Sequence, residues 1–175
     1  RELWYAKILQ RQKEGKLDVA VTSITAKEID SKGLAPAIKK ALATSIKKLK
    51  LNPKDCTVLL DGGLHAPIEY TDQTTITKGD EKHAVIALAS IYAKVTRDKY
   101  MHKQAKLYPE YGFENHVGYG TAIHYKVIKK SGLTPLHRRS FLKRVIKQHH
   151  QTAQVGLFCA IDKHVYIVLY YIHNQ

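Results

Sequence analysis

HAVIALASIYAKVTRD, residues 83–98, reads as a helix, and its surroundings decide the fold class. Ala84, Ile86, Ala87, Leu88, Ala89, Ile91, Ala93 and Val95 make it apolar almost all round, the pattern of a buried helix. Lys94 and Asp98 stand one turn apart on one face, so the helix ends with an acid where bases are preferred. An i,i+4 ion pair between them is one explanation, worth a few tenths of a kcal/mol. Just before it, TTITKGD (74–80) is β-branched and strand-like, and CTVLLDGG (56–63) is a short apolar run closed by glycines. Strands alternating with helices argue an α/β architecture.

Outward from this stretch the alternation continues. Residues 1–14 carry a helical period ended near Gly15, and LDVAVTSIT (17–25) alternates like a strand. Thr25 with Glu28 three residues on is a capping signal for a short helix. Ile38, Leu42, Ile46 and Leu49 mark a helix over 35–50, stopped by Asn52-Pro53. LYPEYGFENHVGYGT (107–121) is a structured loop, TAIHYKVIKKSG (121–132) a helix with Gly132 as its C-cap, and the segment that follows is strongly basic. VYIVLYYI (165–172) is strand-sized and has no evident partner in the preceding pattern.

The 175 residues suit one domain with a real core. Lys and Arg number 29 against 15 acids, a net charge of +14 that favours a polyanionic partner, nucleic acid before a membrane surface. Cys56 and Cys159 have no motif spacing, which implies a reducing compartment and neither a disulfide framework nor a zinc site. No run is long enough to span a membrane. These features together predict a cytoplasmic monomer. The chain opens on RELWYAKI, already inside a helical pattern, as a piece lacking its natural beginning would.

Sites in α/β sheets collect at strand ends. Asp61 stands where the apolar strand gives way to Gly62-Gly63, either as a turn former or with its carboxylate emerging for chemistry. Asp98 is a second acid on an apolar element. Two such acids in a basic chain suit a divalent cation facing a phosphate backbone, and hard oxygen ligands point to Mg²⁺ or Mn²⁺.

LLDGG, TKGDEKHAVIALASIYAKVTRDKYM, YPEYGFENHVGYGTAIH and SGLTPLHRRSF follow one another in an order that resembles ribonuclease HII, the type 2 ribonuclease H. The resemblance is dense over 56–142 and looser over 1–55. It implies a ribonuclease H-like fold, a mixed β-sheet flanked by helices with a C-terminal helical segment. It implies an endonuclease that cuts the RNA strand of RNA–DNA hybrids, including at single ribonucleotides embedded in DNA, with two divalent ions held by four carboxylates. Asp61 and Asp98 match two of these, near enough to share a metal, and Asp98 would end its helix to present a ligand. Lys94 would balance that acid, while Lys78 and Asp80 of KGD lie near the site or form a plain strand-to-helix turn. Tyr119 matches the tyrosine that stacks where a ribonucleotide meets DNA, or packs within a tyrosine-rich loop; Arg138 and Arg139 are expected phosphate contacts or part of an exposed basic face, and Lys78 is expected to bind nucleic acid. His116 and His137 are read as structural.

The departures matter equally. The resemblance also implies an opening strand with an Asp-Glu pair followed by Gly-Arg-Gly; no such combination occurs, so half of the implied metal site is missing. Val117 stands in place of the lysine usual in HKGY. Asp162 is the one strand-like acid of the tail that could imitate a lost ligand. Residues 1–142 are thus expected to form an N-terminally truncated ribonuclease H type 2 domain, and 143–175 a tail of unassigned role. A remnant that binds hybrid without cutting it is the alternative reading.

Overall fold

A computed structural model describes residues 1–147 and 169–172. In chain order the elements are α1 (Glu2–Lys13), β1 (Leu17–Ala20), α2 (Ala26–Lys32), α3 (Leu34–Leu49), β2 (Val58–Asp61), β3 (Gln73–Ile76), α4 (Gly79–Lys82), α5 (Ala84–Leu107), α6 (Phe113–His116), α7 (Ala122–Ser131), α8 (Arg139–Lys147) and β4 (Leu169–Ile172). The chain is α/β and mostly helical. The described residues divide into two compact units, one comprising 1–23, 35–96 and 169–172, the other 24–34 and 97–147.

In the first unit, β2 alternates as its sequence demands. Val58 and Leu60 turn inward onto Leu42 and Ile46 of α3, with Ala66 and Tyr70 completing the cluster. Period 2 then puts Asp61 on the opposite face from Leu60, half-buried at the strand end. β2 and β3 pair in parallel, Val58 opposite Gln73 and Asp61 opposite Ile76. The connection is short and is held by side chains: Gln73 accepts from Ala66 N–H (2.8 Å) and donates to Tyr70 C=O (2.9 Å), and Thr75 donates to Leu64 C=O (2.7 Å).

The strand expected over 17–25 is shorter, Leu17–Ala20, and pairs antiparallel with β4. The tail therefore supplies the partner that its sequence left unnamed. The single mixed sheet is corrected: the described strands form two separate two-stranded sheets, one antiparallel and one parallel. Such narrow sheets cover little of a helix. Of the apolar run 84–95 only Ile86 and Val95 are buried and most of the rest is half-buried, whereas the pattern predicts burial of most of it. Tyr5 of α1 meets Tyr92 of α5, ring centroids 4.8 Å apart.

The second unit packs Met101 and Ala105 of α5 against Tyr111, Phe113, Ile128, Leu136 and Leu142. That stripe explains a second correction. Asp98 does not end its helix, because Met101 and Ala105 continue the buried face for a further two turns and α5 runs to Leu107. Pro109 stops it, since the residue before a proline is pushed out of the helical region, and Tyr108 stands outside that region at φ −133° and ψ 63°.

The predicted cap at α2 is present, with Thr25 Oγ accepting from Glu28 N–H at 3.2 Å. From α2, Asp30 reaches the start of α8, accepting from Arg139 N–H (2.7 Å), Ser140 N–H (3.0 Å) and the Ser140 hydroxyl. Burial alone would raise the Asp30 carboxyl, but these hydrogen bonds and the Arg138 charge hold it below its ordinary value. A lowered carboxylate contributes stability above its unfolded value near 4 that is lost as pH falls further. Asp30→Ala should cost about 1–2 kcal/mol at neutral pH, and thermal denaturation at pH 7 and pH 3 should show the difference shrinking in acid.

Candidate active site

The first unit gathers Asp61, Lys78, Asp80 and Lys94. Asp61 Oδ1 accepts from Gly79 N–H at 2.7 Å, so the strand-end acid caps the turn that opens α4. The approach is close: a Cβ on Gly79 would sit 2.6 Å from Ile86 Cδ1 and 3.4 Å from Asp61 Oδ1. A side chain there would have to displace the end of Ile86, while the Asp61 oxygen would stand at 3.4 Å. Asp80 is met by Lys94 Nζ at 3.8 Å. Lys94 is thus corrected: expected to balance Asp98, it meets Asp80. Asp98 is met instead by its neighbour Arg97, whose Nη1 lies 3.5 Å away.

Lys78 precedes Gly79 in the left-handed region, φ 55° and ψ 49°, and its exposed amine reaches Glu81 at only 3.8 Å. A non-glycine residue pays for that backbone, commonly where function demands it. Lys78→Gly should therefore leave stability unchanged or raise it by up to about 1 kcal/mol, which a thermal melt checks.

In the second unit, Asp98 and Tyr119 share a neighbour that the sequence reading passed over. Arg97 is 7% exposed, donates from Nη2 to Val117 C=O at 2.7 Å, and places its guanidinium carbon 4.4 Å from the Tyr119 ring centroid. A base flanked by an acid within an otherwise apolar helix was the available signal. Tyr119 keeps 48% of its surface open. Val117 has φ 39°, a costly backbone for a β-branched residue, and packs partly against the core.

Three histidines support the Tyr119 turn. His116 Nδ1 accepts from Gly118 N–H (3.2 Å), which leaves Nε2–H to donate to Tyr111 C=O (2.9 Å). His137 Nδ1 accepts from Thr134 N–H (2.9 Å), so its Nε2–H donates to His124 Nε2 (3.2 Å). His124 Nδ1–H then donates to Tyr119 C=O at 3.0 Å. The chain of tautomers closes with every ring neutral. Burial pushes both His124 and His137 down to about 4, and each ring disfavours charge on a neighbouring one. The unfolded rings bind protons near 6.5, so stability should fall as pH drops from about 6.5 towards 4 and be fully present above that window. The melting temperature should decline over this range, and His124→Gln should flatten the decline.

Arg138 is corrected. At 1% exposure, with its guanidinium 3.7 Å over the Phe141 ring, it belongs to the interior and is withdrawn as a phosphate contact. Arg139 is exposed. Asp61 and Asp98 fall in different units. Among the described residues no three or more His, Cys, Asp or Glu side chains gather as a metal site. Nor is any described helix long and apolar enough to cross a membrane. Cys159 and Asp162 lie outside the described residues.

Comparison with known proteins joins these motifs. The ribonuclease HII family profile matches residues 5–144. Ribonuclease HII of Clostridioides difficile (strain 630) is 43% identical over 134 residues, 77% of this chain and 51% of that protein. Ribonuclease HII of Synechococcus sp. (strain WH7803) is 46% identical over 121 residues, 69% of this chain and 61% of that protein. That of Prochlorococcus marinus is 40% identical over 126 residues, 72% of this chain and 65% of that protein. The chain spans about half to two-thirds of the length of these relatives. With the match running from the first helix through the Asp61 strand, the Asp98 helix and the Tyr119 turn, the chain belongs to the ribonuclease HII family.

Proposed function

We propose that this chain is part of an endonuclease that hydrolyses the RNA strand of RNA–DNA hybrids, including at single ribonucleotides embedded in DNA. The family match carries the reading, because it encloses Asp61, Asp98 and Tyr119 together. The donor chemistry agrees: carboxylate oxygens are what Mg²⁺ and Mn²⁺ take. Asp61 and Asp98 would each be a ligand, and alone they do not complete a site. Two bound divalent ions supply an activated water and stabilisation of the leaving 3′ oxygen. The protein's part is placement. Gly79 N–H fixes one Asp61 oxygen and leaves the other to bind, while Asp98 projects from the middle of a long helix. Lys78 and Arg139 would contact phosphates, and the open Tyr119 ring would stack where ribose meets deoxyribose.

A second reading, a remnant that holds hybrid without cutting it, is favoured by one observation: no complete metal site lies among the described residues. A panel of end-labelled RNA–DNA, RNA–RNA and DNA–DNA duplexes with Mn²⁺ separates the two. Cutting confined to the hybrid supports the endonuclease. Binding without cutting, even after an Asp-Glu and Gly-Arg-Gly segment is placed ahead of residue 1, supports the remnant.

A further inference from the structure

Arg97 has no part in the reading above, yet it touches both candidate residues of the second unit. Its Nη1 faces Asp98, its Nη2 holds Val117 C=O at 2.7 Å, and its guanidinium lies 4.4 Å from the Tyr119 ring centroid. Its Nε is buried with no hydrogen-bond partner. Stability is a poor reason to keep such a group. A buried guanidinium is costly unless fully paired, and the acid beside it stands at the outer limit of a hydrogen bond, 3.5 Å away. What the geometry achieves is placement. The bond to Val117 C=O holds a left-handed β-branched residue, and that turn sets the direction of Tyr119 two residues on. The cation then covers the ring while 48% of the side chain stays open.

We infer that Arg97 is a positioning residue for the nucleic-acid contact: it holds the Tyr119 ring ready for a base and ties that ring to the helix turn carrying Asp98. The inference rests on the proposed role of Tyr119. Only a planar fork can donate to a carbonyl, face a carboxylate and stack on a ring at once, so lysine is no substitute.

Two readouts on the full chain test it. The first is the ring resonance of Tyr119 in tyrosine-labelled protein, identified with Tyr119→Phe. Arg97→Lys should move that signal and leave the core Tyr111 signal in place, whereas an unmoved Tyr119 signal overturns the inference. Should Arg97→Lys fail to fold, Arg97→Gln is read the same way. The second is affinity for an RNA–DNA hybrid at fixed salt. Arg97→Lys should weaken it about fivefold and Tyr119→Ala about tenfold. The double variant should bind no worse than Tyr119→Ala alone, because Arg97 acts through the ring. Additive losses would contradict that coupling. If Tyr119→Ala binds as well as the unmodified chain, the proposed role of Tyr119 fails, and the resonance alone decides whether Arg97 holds the ring.

Discussion

Asp98→Asn should reduce hydrolysis of an RNA–DNA hybrid about a thousandfold in protein bearing an Asp-Glu and Gly-Arg-Gly segment ahead of residue 1, and Asp61→Asn should do the same. The amide is neutral and a far weaker ligand, and a loss of about 4 kcal/mol in the transition state corresponds to that factor. Folding should respond less. Asp98 is partly exposed but Arg97 is buried, so removing the charge beside the guanidinium should cost about 1–3 kcal/mol while the amide oxygen still faces it. At position 61 the amide oxygen can still accept from Gly79 N–H, which preserves the turn into α4. Single-turnover rates beside melting temperatures check this. A rate loss that merely tracks unfolding would place both acids in the structure and outside the chemistry.

The second large effect is on binding. With 29 Lys and Arg against 15 acids, the chain should grip an RNA–DNA hybrid mainly through phosphates. If about six phosphates are neutralised, affinity should fall about a thousandfold between roughly 50 and 200 mM salt. Lys78→Gly should lower the slope of log affinity against log salt by about one, since its amine is exposed and only loosely engaged by Glu81. Arg138→Gln should leave the slope alone, because that guanidinium is inside the protein. A competition titration at several salt concentrations measures each slope. Binding insensitive to salt would contradict phosphate contact.

Local signals were the legible part of this chain. Thr25 with Glu28, the apolar spacing of α3 and the glycines closing β2 are short-range features whose physics is complete within a few residues. The family resemblance read from four ordered motifs agrees with the match over 5–144. What escaped depends on distant partners. The apolar run 84–95 has helical character whether or not neighbours cover it, so its composition could not reveal how little of it is buried. Pro109 marks the end of α5, more than two turns beyond the acid at 98. Arg138 and Arg139 are adjacent in sequence and opposite in burial, which only the packing of α8 decides. Lys94 could choose an acid four residues along its own helix or Asp80, and the turn at Gly79 brings Asp80 to it. Arg97 was hidden by its neighbour.

The most direct measurement is the chemistry of the ends left by cutting a DNA duplex that carries one ribonucleotide, with Mn²⁺ and the segment-bearing protein. The expected cut is on the 5′ side of the ribonucleotide, leaving a 3′-hydroxyl on the upstream DNA and a 5′-phosphate on the ribonucleotide, because water attacks and the 3′ oxygen departs. A cut on the 3′ side that leaves a 2′,3′-cyclic phosphate would mean that the ribose hydroxyl is the nucleophile, and would contradict it.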